Sequence, residues 1–396
     1  MLPRPSLERA GTCAGFCGVP DELSWASVLA WRVMRQGLAE RAPATDWMAV
    51  VRRICGVHAQ VQTSAELTLW ARVDGLPRGA VADALWSDRS LVRTWAMRGT
   101  LHLLPADELA WWVGAQGVMK PRYEQASWRK AFGMSSAEAV AVLDAIRDAL
   151  EGAPLTRDEL GDAVARQLGD ERLGEAARGS FGTMPKLAAF RGDVCFAEPA
   201  GQKVRFTRPD LWLGPLEIVA PPREALAAVL RRHLAVYGPA TREDFARWFG
   251  MRSAAQAGKE LEALGDDVAE VAVGEDAGQW MLSADVADAG AAEPGGAVAL
   301  LPGFDQYVVG APRGQDAVLA EEHRGRVYRP QGWLSPVLLV DGRIEGVWSH
   351  EHQRGRLTVK IEPFADRGAA VRAGAEAEAA RLAAYLGAAE LDVSWA

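Results

Sequence analysis

The sequence has little with which to cross a membrane, staple itself together or attract a polyanion by net charge. No apolar run approaches the ~20 residues that a membrane helix needs. Residues 1–20 carry no apolar core or cleavage pattern, so no secretion signal is read and a cytoplasmic location is expected. Four cysteines are present in 396 residues, and only Cys13 and Cys17 lie close together. No second pair completes a tetrahedral zinc site, so free thiols in a reducing compartment are expected, with no metal and no cofactor. Positive charge is also short, since the chain sums to −8.

The distribution of charge matters more than its sum. Residues 256–294 hold ten carboxylates against Lys259 alone, a net of −9, which leaves +1 for the rest of the chain. Residues 172–208 carry seven basic and three acidic side chains. Most of the cations are arginines, which suit bidentate contact with phosphate. The composition, 49% hydrophobic and 24% charged, is ordinary for a soluble folded protein, and the length suggests two to four structural units.

One pattern recurs. Residues 29–56, 142–169 and 229–250 each read as an amphipathic helix, a break at Pro43, Pro154 or Pro239, a threonine two residues later, and a second helix ending at or near Gly56, Gly169 or Gly250. Thr156 and Thr241 are followed three residues on by Glu159 and Asp244, the capping box that starts a helix. Candidate hairpins follow each pair, at 91–104, 194–206 and 268–282, with glycine-bearing turns. Helix, tight turn, capped helix and hairpin together make a winged helix.

From Gly296 the texture changes to short β-rich runs (AVALL, QYVVG, PVLLV, GRIEGVW, GRLTVKIEP) with a hairpin turn at Asp341-Gly342. The fold class expected is therefore α+β, mainly α: three tandem winged-helix (helix-turn-helix) units and a small C-terminal β-barrel closed by a helix at about 367–386. The boundaries read as a mobile tail at 1–23, winged helices at 24–120, 121–217 and 218–294, and the barrel with its closing helix at 295–396. Such units imply double-stranded DNA as partner, a nucleoid-associated protein, and a monomer, because three units need no dimer to span a site.

A polar stretch, Val57-His58-Ala59-Gln60-Val61-Gln62, lies between the helix at 46–54 and a second helix that a capping box, Thr63-Ser64-Ala65-Glu66, would open. If the stretch is extended, His58, Gln60 and Gln62 share one face while Ala59 and Val61 point inward. The plain alternative is that these groups satisfy nearby helix ends.

Here the sequence resembles the AlkZ-like and YcaQ-like bacterial DNA glycosylases, proteins built of winged-helix DNA-binding domains. The resemblance covers about residues 24–390. It rests on GVHAQVQTSAELTLWAR (56–72), MRGTLHLLPADE (97–108), LLPGFDQYVVG (300–310) and VDGRIEGVW (340–348). It implies three winged helices in a C shape, closed by a β-barrel, and a catalytic Gln-x-Gln motif at this junction, Gln-x-Asp in YcaQ-like members. Two registers fit. The flanks favour His58-Ala59-Gln60, in which His58 replaces the first Gln; Gln60-Val61-Gln62 is a literal match. Gln60 belongs to both.

The chemistry asked of such residues is modest. An N7-alkylated guanine is already cationic and leaves without acid help, so a neutral group that positions water suffices. Gln60 could hold water through its amide oxygen, and His58 could hydrogen-bond it or accept its proton. No lysine lies in the motif, so no Schiff-base step is expected. Candidate DNA contacts are Arg98, Thr100 and His102 around the first hairpin, and His350, His352, Arg354 and Arg356 on a later one. For Arg98 a wing touching phosphate or solvent, for His102 a structural histidine, and for Asp305 a turn residue are the plain alternatives. The expectation is a monofunctional DNA glycosylase for alkylated purines, foremost bulky N7-alkylguanine adducts with interstrand crosslinks among the candidate substrates, in DNA repair or self-resistance to a genotoxic natural product. The competing readings are a winged-helix transcriptional regulator without enzymatic activity and a protein-binding array.

Overall fold

The structure is a computed structural model that describes residues 22–179, 183–216 and 220–396. The expected tail, with Cys13 and Cys17, lies almost wholly outside the described residues. The chain is mixed α+β, with helices set among five small sheets in the described residues.

The second and third repeats form as their caps dictate. In the second, helix Ser136–Ala149 leads to strand Leu155–Thr156, helix Arg157–Leu168, two further helices, and the hairpin Cys195–Ala200/Lys203–Thr207. Thr156 caps its helix with the reciprocal Glu159 bond, and Gly169 ends it in the left-handed conformation. In the third, helix Pro222–Tyr237 is followed by Ala240, helix Arg242–Phe249 capped by Thr241 and Asp244, helix Ala254–Glu262, and the hairpin Val268–Val273/Asp276–Leu282. In both, the short segment before the capped helix pairs with the returning strand of the hairpin: Leu155 with Phe206, and Ala240 with Trp280.

The first repeat is shifted by one element. Its hairpin, Leu91–Trp95/Leu101–Pro105, pairs not with residues 42–43 but with Val57–His58. The leading helix is Trp47–Arg53, and helices Gln62–Trp70 and Ala80–Trp86 follow the strand. The Ala42–Pro43 segment pairs in parallel with Val73–Asp74. Helix Trp25–Arg35, expected to open the first unit, packs against the third, where Val28 and Trp31 share a core with Val273, Met281 and Val286. Its Arg32 guanidinium donates to the carbonyls of Gly238 and Pro239. The capping box expected at Thr63 does not form, because the helix starts at Gln62, behind Val61. The candidate junction thus occupies the place where the other repeats put a capping threonine.

The C-terminal region corrects the barrel. Strands Val298–Leu301, Val337–Val340, Arg343–Gln353, Arg356–Pro363 and Glu390–Trp395 form an open sheet in that order. The last strand runs parallel to its neighbour, so it needs a crossover, and helix Gly368–Leu386 supplies one. That helix lies so close over the first strand that a Cβ on Gly374 would sit 2.9 Å from Val298. Helix coverage replaces closure. The Asp341-Gly342 turn forms as expected, with φ of 44° and 84°. QYVVG, read as strand, is helix Gln306–Gly310, because the Asp305 carboxylate caps it by accepting from the Tyr307 N–H at 2.8 Å.

Asp305 has a second role. Its carboxylate receives both terminal nitrogens of Arg72 at 2.7 and 2.8 Å, and both side chains are fully buried. Arg72 also donates to Thr68 O and Gln36 Oε1. This fork joins the C-terminal region to the helix that follows the junction. Asp305→Ala leaves the guanidinium buried without its anion and is expected to lower stability by about 3–5 kcal/mol, read by urea denaturation. A loss below about 1 kcal/mol would show that the pair is not the clamp described.

Candidate active site at the first junction

The junction is a strand that stops short. Val57 and His58 pair with Leu103 and His102, and the Ala59 N–H still reaches Leu101 O at 2.7 Å. Then the chain turns away and Gln62 begins a helix. Ala59 is buried and Val61 half-buried, as alternation predicts, but the three polar residues do not share one environment. His58 is 5% exposed, Gln60 is exposed, and Gln62 is half-buried with its amide 3.5 Å from Glu66.

Carbonyls along this stretch are held from distant parts of the chain. Tyr237 donates its hydroxyl to Ile54 O at 2.8 Å, Gln306 donates its amide to Gly56 O, and Arg93 donates to Ala59 O at 3.2 Å. Phe304 takes a left-handed conformation, φ 61°, costly for an aromatic residue. Its ring stacks on His58 with centroids 5.0 Å apart and planes 8° from parallel. Trp333, more than half exposed, stands edge-on to Phe304. Sequence reasoning missed Phe304, Gln306, Arg93 and Tyr237. The LLPGFDQYVVG stretch carried the only signal, with Asp305 read as a turn residue and QYVVG as a strand.

Burial governs the titration of the site. It pushes the His58 imidazole down to about 3, with the Arg98 cation adding to the effect. His102, fully buried, lies well below its ordinary value for the same reason, with His58 and Arg98 contributing. Both rings are therefore neutral at physiological pH. Burial likewise raises the Glu66 carboxyl, while Gln62 and Arg78 oppose the rise.

The expected DNA contacts divide into two groups. Around the first hairpin, Arg98 is half-buried and donates to Trp248 O, the Thr100 hydroxyl is bonded to Met97 O at 3.1 Å, and His102 is buried. Burial lowers the Arg98 guanidinium to about 10, with Arg247 and Arg313 adding to the shift, so it keeps its charge at neutral pH. His350, His352, Arg354 and Arg356 are instead exposed at the end of a hairpin whose turn, Arg354-Gly355, has φ of 50° and 80°.

A further basic feature lies beside the tip of the first hairpin. A cavity of about 680 Å³ is lined by Arg98, Lys120, Arg122, Arg191 and Arg252 and by no carboxylate. Arg191 is paired with Asp144 and Asp193. Lys120, Arg122 and Arg252 make no ion pair among the described residues. No group of three or more potential metal ligands occurs among the described residues. No helix there is long and apolar enough to cross a membrane.

Residues 51–385 match the family described as DNA glycosylase AlkZ-like. The chain is 37% identical over 382 residues to the interstrand DNA cross-link repair glycosylase of Streptomyces sahachiroi, spanning 93% of this chain and 98% of that protein. The solved structure of Streptomyces sahachiroi DNA glycosylase AlkZ superposes with a TM-score of 0.83 at 35% identity, covering 95% of this chain and all of that one.

Three buried histidines, His58, His102 and His233, are held neutral by burial. In the unfolded chain each titrates near 6.5. Below that pH the unfolded chain binds more protons, so stability is complete above about pH 6.5 and falls as the pH drops. Well below 6.5 the loss approaches about 1.4 kcal/mol per histidine per pH unit. Denaturant midpoints at pH 7 and pH 5 are expected to show it, and His233→Phe should flatten the slope. Equal midpoints would contradict the neutral assignment.

Proposed function

The chain belongs to the AlkZ-like DNA glycosylase family, and from that premise we propose that it is a monofunctional glycosylase for alkylated purines in double-stranded DNA. Its foremost substrates are bulky N7-alkylguanine adducts, interstrand crosslinks among them, met in DNA repair or in self-resistance to a genotoxic natural product. The observation that carries this reading is the junction, where an exposed Gln60 stands two residues from a neutral, rigidly held His58.

The chemistry follows from the charge states. Breaking the glycosidic bond of an N7-alkylguanine sends the bonding electrons to a base that is already cationic, which departs neutral. The sugar is left as an oxocarbenium-like centre that water attacks. An imidazole with a pKa of about 3 is a poor proton acceptor but a good hydrogen-bond acceptor. The favoured register is His58-Ala59-Gln60, with the Gln60 amide oxygen and His58 orienting water, while Gln62 stays near Glu66. With no lysine at the junction, the enzyme hydrolyses the bond without a Schiff base.

The three repeated units are read as winged helices at 24–120, 121–217 and 218–294, with the sheet and its helix at 295–396, acting as a monomer in the cytoplasm. DNA is held against the cavity cations Lys120, Arg122 and Arg252 and the exposed hairpin bearing His350, His352, Arg354 and Arg356. Arg98, Thr100 and His102 serve the site from behind.

Two experiments test this. Duplexes carrying N7-alkylguanines of several sizes are incubated with the protein and assayed for abasic sites. Release by the wild type, at least hundredfold weaker in Gln60→Ala with DNA affinity retained, is expected. No release from any adduct would leave a DNA-binding protein without activity. Arg122→Ala and Arg252→Ala should each weaken duplex binding regardless of sequence and reduce the salt slope by about 0.9. Unchanged slopes would remove the cavity from the DNA-binding surface.

A further inference from the structure

We propose that His102 is a positioning residue that fixes the tautomer of His58, so that His58 offers a lone pair to water. The consequence for water rests on the glycosylase reading, but the tautomer itself does not.

The two imidazoles are directly opposed across the strand pair. Their ring centroids are 5.5 Å apart and their planes stand at 78°. The buried end of the arrangement is settled by a backbone group. His102 Nδ1 lies 2.9 Å from Thr100 O. A carbonyl oxygen only accepts, so in the neutral ring Nδ1 carries the proton and Nε2 holds the lone pair. That Nε2 is buried and has no partner among the described residues, and the same holds for Nδ1 of the adjacent His58. Each orphan left in that condition has given up its hydrogen bond to water with nothing in exchange. A hydrogen bond from His58 Nδ1–H to His102 Nε2 is not made as the two rings stand, but it would satisfy both.

The rest follows from the two tautomers of a neutral imidazole. With the proton on Nδ1, His58 Nε2 is a lone pair. Nε2 is also the ring nitrogen of His58 that is absent from the buried, unpartnered atoms and makes no hydrogen bond among the described residues. It is the ring nitrogen left free for a water. The stacked Phe304 ring holds His58 against rotation. Without a buried acceptor at His102, His58 would revert to the Nε2–H form that free histidine prefers. It would then present a donor to water and compete for the water oxygen that must attack the sugar. The chain of donors thus runs from a bound water to His58 Nε2, from His58 Nδ1 to His102 Nε2, and from His102 Nδ1 to the Thr100 carbonyl, with no net proton transfer and both rings neutral. Sequence pattern alone could not find this pair, because His58 and His102 are 44 positions apart.

The test reads the tautomer without substrate. The protein has six histidines, so the ring nitrogens of a ¹⁵N-histidine sample can be assigned with His58→Phe and His102→Phe. At neutral pH, His58 is expected with a protonated Nδ1 and an unprotonated Nε2. His102→Phe should switch it to Nε2–H, and His102→Gln, whose amide oxygen can accept from Nδ1, should restore the original form. An Nε2–H tautomer in the wild type would overturn the proposal, and that reading stands even if His102→Phe fails to fold. So would a His58 tautomer indifferent to His102→Phe. In single-turnover base release, His102→Phe should be at least tenfold slower at unchanged DNA affinity, with His102→Gln recovering most of the rate. Equal rates in all three proteins would also overturn it. If the wild type releases no base, the glycosylase reading fails while the tautomer is still decided by the nitrogen spectra.

Discussion

The buried fork between Arg72 and Asp305 is the constraint on which the site depends. Two fully desolvated charges survive in the interior because each finds more than one partner. Arg72 reaches Asp305, Gln36 Oε1 and Thr68 O, while Asp305 also caps its own short helix. The pair fixes where residue 305 sits, and its two neighbours then reach the junction. Phe304 lays its ring on His58, and Gln306 grips the carbonyl of Gly56. Three consecutive side chains, with Asp305 standing 233 positions from Arg72 in sequence, therefore hold the candidate strand, which makes only two ladder pairs of its own.

Rigid placement of this kind suits a reaction in which the leaving group supplies most of the driving force. A buried imidazole is useless as a strong base, since burial removes its affinity for protons. It is well suited to orient a water molecule, because it is fixed by stacking and stays neutral over the physiological range. The electrostatic layout of the chain agrees with an anionic partner despite its negative sum. The excess of negative charge falls in residues 256–294, while every charged side chain lining the cavity beside the first hairpin is a cation.

Much of the repeat was legible in sequence wherever a local cap encoded it. Thr156 with Glu159 and Thr241 with Asp244 start helices where expected, and Gly169 and Gly250 end them. The first unit was misaligned because Thr45 imitates that spacing but caps nothing, its hydroxyl turning to Asp46 instead. The true counterpart of the paired strand is Val57–His58, which carries no cap residue at all. QYVVG looked like a strand because of its β-branched residues, and a cap plus burial overrode that propensity. The barrel failed for a topological reason: its last strand runs parallel and must be reached by a helix, which covers the sheet rather than closing it. Gln60 stands out in sequence as part of a motif, but the side chains that hold its neighbours include residues 237 and 304–306, and nothing local in sequence points from one to the other.

The most direct test of the account is a crystal structure with a duplex that carries a cationic azasugar, a mimic of the developing sugar cation, at the lesion position. The account predicts the azasugar nitrogen facing the junction, with one ordered water bonded to Gln60 and to His58 Nε2 and the cross-strand His102 behind. An azasugar seated away from the junction, at the His350–Arg356 hairpin or in the basic cavity, would contradict it.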